Sequence, residues 1–375
     1  MIPLNQNLNP LKRSQIRVYT NLARETPGCA SLTIGEPDLD TPEAIKQAAI
    51  MALQNNHTHY APNQGTPALR QAIAAFETNR GNATRPEQVL VTIGACQALF
   101  TALFGILNPG EEVIVPTPGF GLYETIATIA GAKTVALDVT KTNFQITREA
   151  LDSVITEKTK AIIINSPCNP TGVVFNEESL TAVKDAVLGR PIFIICDNVY
   201  PDLSYVPCPD LSLDPQLNDQ MILCQSFSKP WAMTGWRTGY LTCPDYVMDR
   251  LLLLSAATIT AVPTFLQDAA VTALGTPVDP MREVYRRRRD YVTGRLQTMG
   301  LSFPEPEGAF YVFVNIEKFG LDSATFCTRM IREGLLAAVP GACFGAEGYI
   351  RLSYCYSDEE LSVGLDRLEA FIATL

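Results

Sequence analysis

One lysine is placed where its amine could act as a nucleophile. Lys229 lies in residues 225–237, which read QSFSKPWAMTGWR and follow a short apolar run at 221–224. That run predicts a buried strand. Aromatic and small neighbours would desolvate the amine and favour its neutral form. A neutral lysine amine can attack a carbonyl and form a Schiff base, so Lys229 is the candidate nucleophile.

Polar or aromatic residues also follow the other predicted strands. In open α/β sheets, ligands bind beyond the carboxyl ends of the strands. The residues at those ends are Gly94, Ala95 and Cys96 after 89–93, Phe120 after 112–115, Asn169 after 160–165, Asp197 and Tyr200 after 192–196, and Ser226 after 221–225. Taken singly, each has an ordinary explanation as a cap, a turn or a core residue. Their occurrence at successive strand ends predicts a site.

The pattern of strands and helices predicts an α/β fold. Seven short apolar runs alternate with helical stretches, which indicates a mostly parallel seven-stranded sheet sandwiched by helices, with the last strand (238–242) antiparallel. A compact α+β unit follows from about residue 281. We therefore expect a large domain at 36–280 and a small domain at 1–35 and 281–375. Thr41 is the predicted N-cap of the helix that ends near residue 54.

Composition excludes several classes of partner. The net charge is −10 and the pI is about 4.9, so nucleic acid is not an expected partner. The arginine run 286–289 is predicted to be a solvated helix face. No signal pattern and no apolar run of about 18 residues is present, and the ten cysteines form no CxxC pair, so we expect a cytoplasmic protein with reduced thiols and no membrane contact. His57 and His59 have no third ligand pattern, so no metal site is expected.

The motifs around these residues resemble the class I/II aminotransferases of fold type I, which depend on pyridoxal 5′-phosphate (PLP). The resemblance runs from about Gly35 to Arg351. It rests on Ser-Phe-Ser-Lys followed by Gly-Trp-Arg, on Asn-Pro-Thr-Gly at 169–172, on Asp-x-x-Tyr at 197–200, and on Arg-Leu-Ser at 351–353. The fold implied is the large PLP-binding domain with a smaller α+β domain.

The resemblance implies a role for each candidate residue. Lys229 would hold PLP as a Schiff base and move the Cα proton, while Asp197 would pair with the pyridine nitrogen. The remaining implied contacts are hydrogen bonds to the phenolic oxygen from Asn169 and Tyr200, phosphate binding by Ser226, Arg237 and the backbone of Ala95 and Cys96, ring stacking by Phe120, substrate binding by Gly35, Asn169 and Arg351, and a contact from Tyr60 to the phosphate of a neighbouring subunit. A homodimer with shared active sites is therefore implied.

The implied reaction exchanges an amino group between an L-amino acid and a 2-oxo acid with ping-pong kinetics. One motif departs from the aspartate-using relatives, where Gly-Gly-Lys stands in place of Gly94-Ala95-Cys96. Without that lysine, a side-chain carboxylate of the substrate would be left unpaired. The sequence therefore favours a neutral or aromatic amino donor over aspartate.

Two other functions remain open from the sequence. A PLP-dependent C–S β-lyase would use the same lysine and aspartate, because both reactions begin with loss of the Cα proton. A non-catalytic regulatory or binding protein could also use this fold, although such proteins usually carry a separate DNA-binding segment.

Overall fold

The computed structural model describes residue 2, residues 4–11 and residues 13–375. The helices within these residues are α1 (Gln15–Glu25), α2 (Glu43–Gln54), α3 (Pro67–Asn79), α4 (Gly94–Ile106), α5 (Leu122–Ile129), α6 (Arg148–Val154), α7 (Glu177–Val187), α8 (Asp245–Ile259), α9 (Thr264–Leu274), α10 (Asp279–Thr298), α11 (Ser323–Gly334) and α12 (Asp358–Ile372). The strands are β1 (Ala30–Ser31), β2 (Val89–Thr92), β3 (Glu112–Thr117), β4 (Lys133–Asp138), β5 (Thr159–Ile164), β6 (Phe193–Asp197), β7 (Met221–Ser226), β8 (Gly239–Thr242), β9 (Tyr311–Asn315), β10 (Leu336–Ala337), β11 (Val339–Pro340) and β12 (Tyr349–Ser353).

Seven strands form the central sheet in the order β2-β8-β7-β6-β5-β3-β4. β8 runs antiparallel to both of its neighbours, and the other pairs are parallel. Successive side chains of a strand point to opposite faces of the sheet. Accordingly Ile163 packs in the core that contains α4 and α8, while Ile162 packs in the core that contains α7. The predicted α/β fold, with helices on both faces of a mostly parallel sheet, is confirmed.

The first 35 residues pack against the C-terminal part of the chain. β1 pairs in parallel with β10, and β9, β11 and β12 form a separate antiparallel sheet. Tyr19, Ala23 and Leu32 share one apolar core with Phe326 and Leu365. This packing supports the division into 36–280 and 1–35 with 281–375, which stays a prediction.

Two local predictions were wrong. Pro42, not Thr41, is the N-cap residue of α2, because the Thr41 hydroxyl donates to the Ala232 carbonyl at 2.7 Å instead. The arginine run is not uniformly solvated, since the Arg288 side chain is only 7% exposed and pairs with Asp38 and Asp358.

The chain has ten cysteines and two histidines as further candidate redox or metal-binding side chains. All ten cysteines are free. Among the described residues, no cluster of three or more potential metal ligands occurs, and His57 hydrogen-bonds Asp268 on the surface. No helix in the described ranges is both long enough and apolar enough to cross a bilayer.

Candidate active site

A cavity of 250 Å³ opens at the carboxyl ends of the parallel strands. Every predicted site residue except Tyr60 lines it: Gly35, Ala95, Cys96, Phe120, Asn169, Asp197, Tyr200, Ser226, Lys229, Arg237 and Arg351. Tyr60 lies outside the cavity, and 92% of its surface is exposed. The chain by itself therefore assembles all the predicted residues but one.

Lys229 projects into this cavity from the turn that follows β7. Its Nζ donates a hydrogen bond to the Gly35 carbonyl at 2.6 Å and lies 5.8 Å from the centre of the Phe310 ring. Burial lowers the pKa of Lys229, because the charged amine loses its hydration. The amine is thus closer to its neutral, nucleophilic form than an exposed lysine would be.

Asp197 is buried at the end of β6, and only one of its two carboxylate oxygens has a hydrogen-bond partner among the described residues. The Tyr123 hydroxyl donates to Oδ2 at 2.6 Å, while Oδ1 has no hydrogen-bond partner among the described residues. Burial raises the pKa of Asp197 to about 6, and the hydrogen bond from Tyr123 opposes that rise. A buried carboxylate oxygen without a partner is costly, so this oxygen is suited to accept a proton donor from a ligand.

Arg351 on β12 is buried and lines the same cavity. Its Nη1 donates to Asn169 Oδ1 at 2.8 Å and its Nη2 to the Thr33 carbonyl at 2.5 Å. The guanidinium lies 4.5 Å from the ring centre of Tyr311. Its Nε has no partner among the described residues. Arg351 therefore has a free donor and a fixed plane, both of which suit a carboxylate ligand.

The start of α4 forms a cradle for an anion. Gly94 has φ of +68°, which favours glycine, and a Cβ built there would lie 2.8 Å from Arg237 Nη2 and displace this guanidinium. Arg237 Nη1 donates to the Thr234 carbonyl at 2.9 Å, and Ser226 lies at the end of the adjacent β7. Backbone amides at a helix N-terminus, a guanidinium and a hydroxyl together could hold a phosphate.

Gly35 lies where the N-terminal segment crosses the cavity. A Cβ built on Gly35 would lie 1.8 Å from the Tyr311 hydroxyl, so no larger residue fits without displacing that ring. The Tyr311 hydroxyl is also 3.0 Å from that of Tyr200. Gly35, Tyr200 and Tyr311 thus form one continuous wall of the cavity.

Comparison with known proteins identifies the family of this chain. A family model described as aminotransferase class I and II matches residues 27–368. The chain belongs to the class I and II aminotransferase family. This aminotransferase is PLP-dependent, as its family is, and the function predicted from the sequence is confirmed.

Three relatives illustrate the range within the family. A probable N-acetyl-LL-diaminopimelate aminotransferase from Bacillus subtilis is 38% identical over 376 residues, covering 98% of this chain and 95% of the relative. Aromatic-amino-acid aminotransferase 2 from Thermococcus litoralis is 38% identical, with 98% and 97% covered. The structure of aspartate aminotransferase from Thermus thermophilus with maleate has a TM-score of 0.94 and 34% identity, with 99% and 100% covered. Relatives of similar identity are therefore named for different substrates.

Several residues that line this aminotransferase site were not predicted from the sequence. Tyr123 and Tyr311 line the cavity and bond to Asp197 and Tyr200, respectively. Thr33 holds Arg351, and Ile16 brings α1 to the cavity. Tyr123 lies three residues after the predicted site residue Phe120, and this was the one sequence signal that could have indicated it.

Proposed function

We propose that Lys229 binds PLP covalently through Nζ and that the same atom takes the proton from the substrate Cα. When bound, PLP supplies an electron sink for the electron pair left at Cα. The lowered pKa of Lys229 supports this role, because a base must be neutral before it can accept a proton. Its hydrogen bond to the Gly35 carbonyl supports a fixed position for Nζ next to the substrate.

The unpartnered Oδ1 of Asp197 is the observation that carries this proposal. Asp197 would accept a hydrogen bond from the protonated pyridine nitrogen of PLP, which would satisfy the orphan oxygen and stabilise the charge on the ring. Tyr123 would keep the carboxylate in place. Phe120 lines the same cavity and would stack on the ring, while Asn169 and Tyr200 would bind its phenolic oxygen.

The phosphate of PLP would bind at the start of α4. The backbone of Ala95 and Cys96, the hydroxyl of Ser226 and the guanidinium of Arg237 supply donors on this side of the cavity. Tyr60 would complete the phosphate site of a neighbouring subunit, and its 92% exposure in the single chain supports that assignment. The functional unit would be a homodimer with shared active sites.

Arg351 would bind the α-carboxylate of an L-amino acid or a 2-oxo acid. Its free Nε and its stacking on Tyr311 support a planar contact with a carboxylate. The cations among the described lining residues are Lys229, Arg237 and Arg351, and each has an assigned role. The cavity therefore favours a neutral or aromatic amino donor, and aspartate would leave its side-chain carboxylate unpaired.

The free thiols support a cytoplasmic location, because reducing compartments preserve them. A reporter fusion with fractionation of the producing cell tests this assignment.

A spectral half-reaction screen tests the proposed roles. The purified protein should show the visible band of a PLP–lysine linkage, and each productive amino acid should bleach it towards the pyridoxamine form. Lys229→Ala should abolish both the band and turnover while retaining the fold, as checked by circular dichroism. Absence of the band after PLP addition would contradict covalent binding of PLP by Lys229. Bleaching by aspartate but not by neutral amino acids would contradict the proposed substrate preference.

A further inference from the structure

A second cavity adjoins the active site and has no assigned role. It measures 370 Å³ and is bounded by one face of α1, namely Arg17, Thr20, Asn21 and Arg24, together with Ser14, Ile16, Ile34 and Glu36. Ile16 and Ile34 line both this cavity and the active-site cavity. These two isoleucines therefore lie between the two cavities.

The second cavity carries two positive charges that are not neutralised by the protein. Arg17 and Arg24 are two helical turns apart on the same face, and among the described residues neither forms a salt bridge. Glu36 on the opposite wall accepts a hydrogen bond from Thr234 at 2.6 Å, so part of its charge is already engaged. Two guanidiniums against one carboxylate favour an anionic ligand.

The position of α1 is fixed relative to the proposed α-carboxylate site. Thr20, on the same helix face as both arginines, is buried, and its hydroxyl lies 2.8 Å from that of Thr33. The Thr33 carbonyl in turn accepts a hydrogen bond from Arg351. Two hydrogen bonds therefore connect Arg351 to the helix that bears Arg17 and Arg24. A substrate held at both ends would have its two carboxylates located by one continuous set of contacts.

We propose that the second cavity binds a carboxylate at the far end of a long amino-donor side chain, with Arg17 and Arg24 as its cations and Ile16 and Ile34 against its methylene groups. The inference rests on the proposed function and adds one acidic class to its neutral and aromatic donors, namely L-amino acids with an apolar chain and a terminal carboxylate. For the shorter side chain of aspartate, the described lining of the first cavity offers no cation without an assigned role.

Matched substrate pairs test this proposal in the PLP-loaded enzyme. L-2-aminohexanedioate and L-norleucine share a six-carbon chain and differ in the terminal carboxylate, and their seven-carbon homologues form a second pair. We expect the acidic member of each pair to have the higher kcat/KM in the half-reaction. Arg17→Gln and Arg24→Gln should each lower that preference by about fivefold, as exposed ion pairs contribute modestly, and the double variant by at least about tenfold.

The neutral substrates and a third arginine provide the controls. Norleucine turnover should change by less than about twofold in every variant, since it makes no contact with the guanidiniums. Arg13→Gln removes the same charge from an exposed position that does not line the cavity, and should leave the preference unchanged. Binding of heptanedioate and heptanoate, measured by calorimetry, supplies a readout independent of turnover, and only the dicarboxylate should bind more weakly to the double variant.

Two different negative results are distinguishable. If norleucine reacts but the double variant keeps the wild-type preference, the second-cavity proposal is wrong and the proposed function stands. If no amino acid bleaches the visible band, the proposed function itself fails. A loss of preference in Arg13→Gln equal to that in the double variant would attribute the effect to long-range charge and overturn the site.

Discussion

Tyr123 donates a hydrogen bond to Asp197 Oδ2 at 2.6 Å, and the other carboxylate oxygen of Asp197 has no partner among the described residues. Tyr123 lies in the first turn of α5 and Asp197 ends β6, so the two residues meet although they are 74 positions apart in the chain. Burial raises the pKa of Asp197 to about 6. The hydrogen bond from the Tyr123 phenol opposes that rise, because it stabilises the ionised carboxylate. If Asp197 pairs with the cationic ring as proposed, Tyr123 helps to set the pH range of that pairing.

Tyr123→Phe should weaken PLP binding by about tenfold at neutral pH, the effect of one hydrogen bond to a charged group. Without the phenol, the pKa of Asp197 should rise further. Wild-type affinity for PLP should fall as the pH decreases through about 6, and the variant should lose affinity at a higher pH. Titration of the apoprotein with PLP between pH 5 and 8 measures both effects, and identical pH profiles would contradict this role.

Asp197→Asn should stabilise the apoprotein while abolishing transamination. When a carboxyl has a folded-state pKa above its ordinary value of 3.8, the folded protein loses stability as the pH rises through that folded pKa, here about 6. At pH 7.5 the variant should therefore unfold at a higher temperature, with a gain of up to about 3 kcal/mol. At pH 4 the two apoproteins should unfold at similar temperatures. A variant that is less stable than the wild type at pH 7.5 would refute the argument.

Arg288→Gln should destabilise the protein much more than the same change at Arg287. Arg288 donates to both oxygens of Asp38 at 2.6 and 2.8 Å and to Asp358 at 3.1 Å. Arg288 is buried, but the Asp38 and Asp358 side chains are 24% and 56% exposed, so losing these hydrogen bonds to charged groups should cost about 2 kcal/mol. Arg287 is 65% exposed and, among the described residues, pairs only with Asp358, so its loss should cost less than about 1 kcal/mol.

The same pair of variants tests a link to the active site. Asp38 follows Gly35, whose carbonyl accepts the hydrogen bond from Lys229. Loosening this segment should therefore lower kcat/KM in Arg288→Gln and leave Arg287→Gln near the wild type. Thermal unfolding at a fixed PLP concentration and half-reaction kinetics measure the two effects, and equal losses in both variants would argue against it.

Hybrid dimers should reveal whether Tyr60 acts across a subunit interface. Tyr60→Ala and Lys229→Ala chains, co-expressed with different tags, would combine in the hybrid so that one site carries both defects and the other carries neither. We expect about half of the wild-type activity per dimer from the hybrid at limiting PLP, because one site is fully restored. No gain over the Tyr60→Ala homodimer would place Tyr60 outside the neighbouring site.

The sequence predicted the sheet and most of the cavity because parallel strands align their carboxyl ends. Asp197, Ser226 and Lys229 follow two adjacent strands, so their proximity follows from the topology alone. Contacts between distant segments were not predictable in this way. Thr33 holds Arg351 across 318 positions, and Arg288 finds Asp38 across 250. The burial of Arg288 was therefore missed, since the two residues on either side of it in the sequence (286, 287, 289 and 290) are all charged.

Capping of α2 was misread for a related reason. Thr41 is a good N-cap residue by type, but its hydroxyl donates a hydrogen bond to the Ala232 carbonyl. The N-cap of α2 is Pro42, the next residue in the chain. Local preference was overridden by a contact across 191 positions.

Cys96 is the only exposed thiol among the ten cysteines, all of which the structure describes, and it lines the active-site cavity. A chromophoric thiol reagent should consequently label the folded protein at this position first. The raised pKa of Cys96 makes that labelling slow at neutral pH and faster under alkaline conditions. Ligands that fill the cavity should protect the thiol, so the rate of colour development can serve as an optical gauge of site occupancy even for compounds that are never turned over.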